Sequence, residues 1–233
     1  MNQQTVDIMG SFIPLLAETI TILTVVDNGG SFTFTTKCTW WLSIEQTYII
    51  QGNPYKVESF VINQSIVFVP VGHANIPTVG TFPIAAPEYI HGTLKMAQDE
   101  VDGEPDKTIL CPFSYLIEII TDRKNDDEES MIERETTLRM IWLNTADFSN
   151  WLTDDHYTNV IDPMQQMVDL YIKKLKESGR FTDNIRHDDT PLINVSEQGN
   201  QSKAVFDCNL SGIETLIFAE IREDLSCLNK CDC

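Results

Sequence analysis

Three segments decide the fold: Pro112–Thr121 (PFSYLIEIIT), Thr136–Leu143 (TTLRMIWL) and Asp162–Ser178 (DPMQQMVDLYIKKLKES). The first two are apolar runs of strand length, rich in β-branched and aromatic residues, and a gap too polar to pack separates them. They read as neighbouring strands. In the third, Met164, Met167, Val168, Tyr171, Ile172 and Leu175 recur at helical spacing and form one apolar stripe wide enough to cover a sheet face. Its ends carry stop and start signals. Asp162 is placed to cap the free N–H groups, Pro163 suits the first helical position, and Lys173, Lys174 and Lys176 sit near the last carbonyls, with Gly179 ready for a left-handed stop.

Working outward, the chain before this block reads as short strands. Val6–Glu18 is interrupted by Gly10 and Pro14, which predicts an irregular segment or two short turns. Thr19–Val26, an Asp27-Asn28-Gly29-Gly30 turn and Ser31–Trp40 form a hairpin signal in which Phe32 and Phe34 alternate with threonines. Gln46–Ile50, a Gly52-Asn53-Pro54 turn, Tyr55–Asn63 and Ser65–Val71 continue at the spacing of a small antiparallel barrel or sandwich. Gly72–Pro112 holds Pro77, Pro83, Pro87, Pro105 and Pro112 without sustained periodicity, which predicts an extended connection. Beyond the helix, Phe181–Gly199 reads as a loop. Val205–Leu210, a Ser211-Gly212 turn and Thr215–Ile221 then make a final strand pair, the last of them apolar on both faces except Glu220 and so placed inside the sheet.

The expected architecture is therefore α+β: residues 1–72 an N-terminal segment and β-module, 73–110 an extended connection, and 111–233 a mixed sheet packed by one main amphipathic helix. With 233 residues, 42% of them apolar, the chain can bury a substantial core. Its formal charge of -19 repels phosphate backbones and anionic lipid, which argues against conventional nucleic-acid binding. No run reaches the roughly 18–20 apolar residues of a membrane span, and MNQQTVDIMG lacks the basic start of a secretory signal, so a soluble chain is expected, without a membrane partner.

Chemistry-bearing patterns are sparse. The phosphate-binding, nucleophile-elbow and zincin motifs are absent, and no catalytic, cofactor-binding or metal-ligating residue is assigned. The tail CLNKCDC has half the ligands of a zinc site, yet His73, His91, His156 and His187 are scattered, so reduced thiols are the preferred reading, with Cys38, Cys111 and Cys208 buried as small apolar residues. Asp154-Asp155-His156 resembles an acid/base or metal cluster only on paper. Adjacent residues on an extended segment point in different directions, and Trp151, Tyr157 and Val160 predict a packed loop whose polar groups cap the next helix. The Trp40-Trp41 pair offers either an aromatic ligand platform or one core and one outward residue; the second is preferred, with Trp41 as the candidate interface residue.

PFSYLIEII, the acidic gap after it, ERETTLRMIWLNTADFSNWLTDDHYTNVIDPM and the closing AVFDCNLSGIETLIFAEI together resemble structural virion proteins of tailed phages and prophages of Bacteroidetes hosts, the crAss-like gut phages among them. The resemblance covers about Cys111 to Cys227, with an echo in YIHGTLKMA (Tyr89–Ala97). It implies a tail-terminator or head-to-tail connector type of subunit: non-enzymatic, without cofactor, made in the bacterial cytoplasm and built into the virion. Such subunits form a homo-oligomeric ring against other neck or tail ring proteins or the portal. Genomic DNA passes through without specific binding. The charge agrees, since phosphate-neutralising contacts would resist sliding. Asp122–Glu135 carries seven acids against three bases, and its Asp126, Asp127, Glu128 and Glu129 are candidate DNA-channel lining. A solvated hairpin tip is the plainer reading of the same run. Two other classes remain: a monomeric β-type binding module using the tryptophans, and an enzyme of unrecognised type using the Asp154–His156 loop.

Overall fold

Gly10 and Pro14 divide the first segment as the sequence predicts, into α1 (Thr5–Gly10) and a 3-10 turn (Ile13–Leu16). The computed structural model describes residues 5–93, 95–96, 99–100, 111–125, 131–181, 184–193 and 210–224. The next apolar run is one strand by composition but two by geometry, because β1 (Glu18–Ile22) and β2 (Thr24–Asp27) part at Leu23. β1 pairs with β7 (Gly80–Ile84); β2 pairs with β3 (Phe32–Thr35) across the expected turn, where Asp27 Oδ1 accepts the Gly29 N–H at 2.8 Å. The strand expected to run on to Trp40 ends at Thr35.

β4 (Thr47–Ile50), β5 (Asn53–Val61) and β6 (Ser65–Pro70) complete an antiparallel sheet of order β2-β3-β6-β5-β4. The β4–β5 turn is centred on Gln51 and Gly52 rather than on Asn53 and Pro54, and both take left-handed φ values, 52° and 81°. That geometry matches the twist of a tight hairpin. Phe32, Phe34, Tyr55, Val57, Ile66 and Phe68 point inward and are buried. The β1–β7 ribbon covers them, with the Phe82 ring 5.9 Å from Phe68. The result is two open layers rather than a closed barrel.

Gly72–Pro112, expected as an extended connection, contains β7 and β8 (Glu88–Gly92). Its prolines obscured the strand signal; Pro83 is tolerated because β7 belongs to a two-stranded ribbon, where an N–H can be spared. β8 lies parallel to β9 (Phe113–Asn125), which is antiparallel to β10 (Met131–Thr145). These two strands were expected as neighbours and are longer than expected, continuing into the polar gap. β12 (Leu210–Asp224) pairs along β10 from Met131↔Asp224 to Thr145↔Leu210, with β11 (Arg186–Leu192) on its other side. The order β11-β12-β10-β9-β8 makes the C-terminal sheet mixed.

Two expectations fail here. Ser211-Gly212 is no turn but part of β12, and the loop expected over Phe181–Gly199 contains β11. Gly212 is required for a different reason: a Cβ there would lie 1.8 Å from the Trp142 carbonyl oxygen. Only a glycine lets the two backbones approach so closely. The strand expected from Val205 lies, but for Leu210, outside the described residues.

The main helix bears out its stripe and corrects its start. Met164, Met167, Val168, Tyr171, Ile172 and Leu175 are all buried, each such side chain contributing about 1.5–3 kcal/mol. The helix begins well before Asp162, as α2 (Thr153–His156), a π-helical turn (Tyr157–Ile161) and α3 (Asp162–Glu177) in unbroken succession. The Asp162 N–H reaches back to the Tyr157 carbonyl, and this wider turn precedes Pro163, which has no N–H to donate. Gly179 stops the helix at φ 68°, as expected. α3 lies on β10 and β12, the Tyr171 ring 5.0 Å from Trp142, while the Tyr171 hydroxyl donates to the Met9 carbonyl at 3.0 Å. One continuous core therefore runs from α1 through both β layers to the helix side of the C-terminal sheet. A second cluster, with Phe113, Tyr115, Ile141 and Leu143, lies on that sheet's other side.

Candidate functional site

Of the residues singled out in the sequence, Asp126, Asp127, Glu128 and Glu129 lie outside the described residues, as do Cys208, Cys227, Cys231 and Cys233. The strands that carry the acidic connection end at Asn125 and Met131. Trp41, expected at an interface, is 0% exposed and donates its indole N–H to the Ala85 carbonyl at 3.4 Å. The reason is local: the strand has already ended, and Trp40 takes a left-handed φ of 47°, so strand alternation does not govern the pair. Trp40 is half-buried against the same core and bonds the Thr19 carbonyl at 3.3 Å, so neither indole is a free platform.

The Asp154–His156 segment is the first turn of the long helix. Asp155 accepts the Leu152 N–H at 2.8 Å and so caps that turn; the capping role expected of these polar groups holds, but the segment is helical where a packed, extended loop was expected. His156 is buried between Phe148 (4.7 Å) and Trp151 (5.4 Å), its Nδ1 3.2 Å from Ser211 Oγ. Burial holds its imidazole below the ordinary histidine range, against the opposing pull of Asp155 and Asp147. Asp147 is itself held below the usual carboxylate range, chiefly by the Asn150 side-chain amide. Ser211 pairs in register with Asn144, whose amide donates to the Ser43 hydroxyl. A seam Ser43–Asn144 and Ser211–His156 thus ties the N-terminal β layer to β10, β12 and the helix start.

Chemically, the His156–Ser211 contact resembles a base beside a nucleophile, but Ser211 is 0% exposed and the nearby carboxylates are engaged with backbone or amide N–H groups. A substrate has no route to the hydroxyl, and the seam is a positioning device. No local pattern points to Ser211, because a buried serine looks like a turn residue when glycine follows it.

On the β11 edge, Gln165 donates to Asp189 Oδ2 at 2.8 Å, and His187 Nδ1 lies 3.1 Å from the same oxygen. Thr215, opposite Asp189 in register, and the Trp142 indole N–H are buried without a hydrogen-bond partner. A cleft of about 610 Å³ follows where Asn184–Arg186 leave β12, lined by Glu135, Thr137, Phe218 and Glu220, with the Arg186 guanidinium 5.0 Å over the Phe218 ring. A second, of about 510 Å³, lies beside Gln46, Tyr48, Pro83 and Pro112. Burial pushes the Tyr48 phenol up, and its hydroxyl donates to Gln46 Oε1 at 2.5 Å while Gln46 bonds the Cys111 carbonyl. Neither cleft gathers a nucleophile, base and charge-stabilising donor. Among the described residues, no group of three or more His, Cys, Asp or Glu is placed to hold a metal ion, and no helix is long and apolar enough to cross a membrane. No family model, curated protein or solved structure matches the chain.

Proposed function

We propose that the chain is a non-enzymatic structural subunit of a phage particle, assembling into a ring in the neck or tail through which DNA passes. The observation that carries this is the β9–β10 pair. Its strands, 13 and 15 residues long, run roughly 40–50 Å at about 3.3 Å per residue, and the ladder continues to Glu133↔Asn125. The acid-rich connection therefore springs from paired strands, with β12 bonded alongside as far as Asp224. A projection backed by a sheet keeps its position against moving DNA better than a slack loop. An acidic surface at its end repels phosphate and adds no counterion-releasing contacts to slow passage.

The resemblance to ring subunits implies a mixed sheet flanked by helices, and the mixed C-terminal sheet, with its one main helix, is in keeping with that. Partners would be further copies of the chain and neighbouring neck or tail rings or the portal, with the virion as its location. The test is to replace Asp126, Asp127, Glu128 and Glu129 with lysine in assembled particles, moving the local charge by +8 per subunit. Particles should still form but release DNA more slowly, with the defect relieved by added salt. Unchanged release at low salt would take the connection out of the channel.

A further inference from the structure

Asn28 is the one asparagine of the chain that glycine follows, and the pair stands at the tip of the β2–β3 hairpin. Asp27, Asn28, Gly29 and Gly30 are all exposed. The turn closes through the Asn28 N–H on the Ser31 carbonyl at 2.9 Å, and within it Gly29 takes a φ of 81° with nothing within 4 Å of where a Cβ would stand. The Gly29 nitrogen is free of the crowding that a side chain brings.

Three side-chain bonds hold the pair. Asp27 Oδ1 accepts the Gly29 N–H at 2.8 Å, while Asn28 Nδ2 donates to Thr33 Oγ1 at 2.9 Å and to Ser31 Oγ at 3.4 Å. All lie at the exposed surface, where exchange of a hydrogen bond with water costs little. Other asparagines are held more firmly. Asn53 precedes Pro54, which has no N–H; the Trp151 N–H after Asn150 is bonded to the Asp147 carbonyl at 2.9 Å; and Asn144 is 0% exposed, its own Oδ1 taking the Thr145 N–H at 2.9 Å.

We propose that Asn28 is a site of self-modification, at which the Gly29 nitrogen displaces the side-chain amide as ammonia, and that Asp27 restrains it. The reaction needs no reagent but water. The Gly29 nitrogen bonds Asn28 Cγ and closes a succinimide ring, the Cγ–Nδ2 bond breaks, and the proton lost from Gly29 leaves on the ammonia. Water then opens the ring. Cleavage at Cγ gives aspartate, and cleavage at the main-chain carbonyl gives isoaspartate, with the chain rerouted through the former side chain. Attack requires the Gly29 N–H to leave Asp27 first, so this bond slows the reaction by its net worth, about two- to tenfold. The product is a poorer turn residue. Its carboxylate cannot donate to Thr33 or Ser31, and it stands beside Asp27 as a second acid, so the hairpin tip loosens as the protein ages.

Prolonged warm incubation of the full chain near neutral pH tests this, followed by proteolysis and mass spectrometry with fragmentation that separates aspartate from isoaspartate. Wild type should convert at Asn28 before any other asparagine, and to both products. D27A should convert faster by about two- to tenfold, whereas D27N, which keeps an acceptor oxygen in the same place, should match wild type and so separate loss of the bond from loss of charge. N28Q should keep its amide, because the ring it would close is larger and slower to form. Where D27A disturbs the hairpin, wild type in urea replaces it, and the unfolded chain should convert faster than the folded one by at least the same factor. Another asparagine converting first, aspartate without isoaspartate, or D27A and the unfolded chain converting no faster than folded wild type would each overturn the proposal. D27N converting as fast as D27A would overturn the Asp27 hydrogen bond as the restraint.

Discussion

In the N-terminal sheet the residues pointing away from the core are Val26, Thr33, Val67 and their neighbours, all open to solvent in the single chain; in the C-terminal sheet the equivalent side carries Phe113, Tyr115, Ile141 and Leu143, all buried. The first sheet is covered on one face, the second on both where β9 meets the Ile141–Leu143 end of β10, while further along the same face Arg139 is exposed and Glu214 and Phe218 are half-exposed. That difference sets both the sequence pattern and the sensitivity to change. A sheet with one open face alternates, as in Phe32-Thr33-Phe34-Thr35, whereas a sheet closed on both faces gives unbroken apolar runs such as Met140–Leu143. The N-terminal layer therefore keeps one open face, and the C-terminal one has a core cluster on each side of its β9–β10 pair.

The largest effect that sharpens this contrast is expected at Gly212→Ala. The added methyl would meet the Trp142 carbonyl oxygen, which is backbone in the middle of β10 and unable to rotate aside. A loss of about 3–5 kcal/mol, or failure to fold, should appear in urea denaturation. Unchanged stability would mean that β10 and β12 are not so closely spaced.

Next comes a matched pair of outward strand positions. Leu143→Lys places an unpaired charge in the second core cluster and should cost roughly 3 kcal/mol or more, while Val67→Lys, on the half-exposed face, should cost under about 1 kcal/mol. Equal costs would erase the distinction between the two sheets.

The smallest effect concerns the seam between them. His156 is held below its ordinary pKa by burial, so the unfolded chain takes up its proton first as pH falls. Its contribution to stability is complete above about pH 6.5 and declines below it, towards the lower folded-state value. Acidification also relieves the repulsion of a -19 chain, which works in the opposite direction, so the signal is a difference. Melting temperatures at pH 7.5 and 5.5 should fall by a few degrees more for wild type than for His156→Phe. Parallel changes in the two proteins would show that the imidazole keeps its solution pKa.

How much of this was legible in the sequence follows from the same contrast. The helix stripe from Met164 to Leu175 was readable because one side of the helix is buried, and the β2–β3 hairpin because its turn residues and alternation agree. β8 and β11 were not. β8 is the parallel edge strand, reached through a proline-containing stretch, and β11 (RHDDTPL) is a charged edge strand whose register comes from β12 rather than from any apolar pattern of its own. Ser211-Gly212 carried a turn signal, yet the glycine answers to a backbone 69 positions away, at Leu143, which no local pattern reveals. Trp41 was misplaced because alternation was extended past the end of β3. At the site, the capping role of Asp155 was visible from its position, whereas the Ser43–Asn144 and Ser211–His156 contacts join residues too distant in sequence for any spacing rule.

The most direct measurement is the native mass of the purified full-length chain, taken across concentration and checked by electron microscopy of the same sample. A ring-forming subunit should give a closed species of about six to twelve copies with a central opening, and the acid-rich β9–β10 connection turned towards it. A chain that remains a monomer, or that associates only as far as a two-fold dimer under every condition in which virion parts assemble, would contradict the ring.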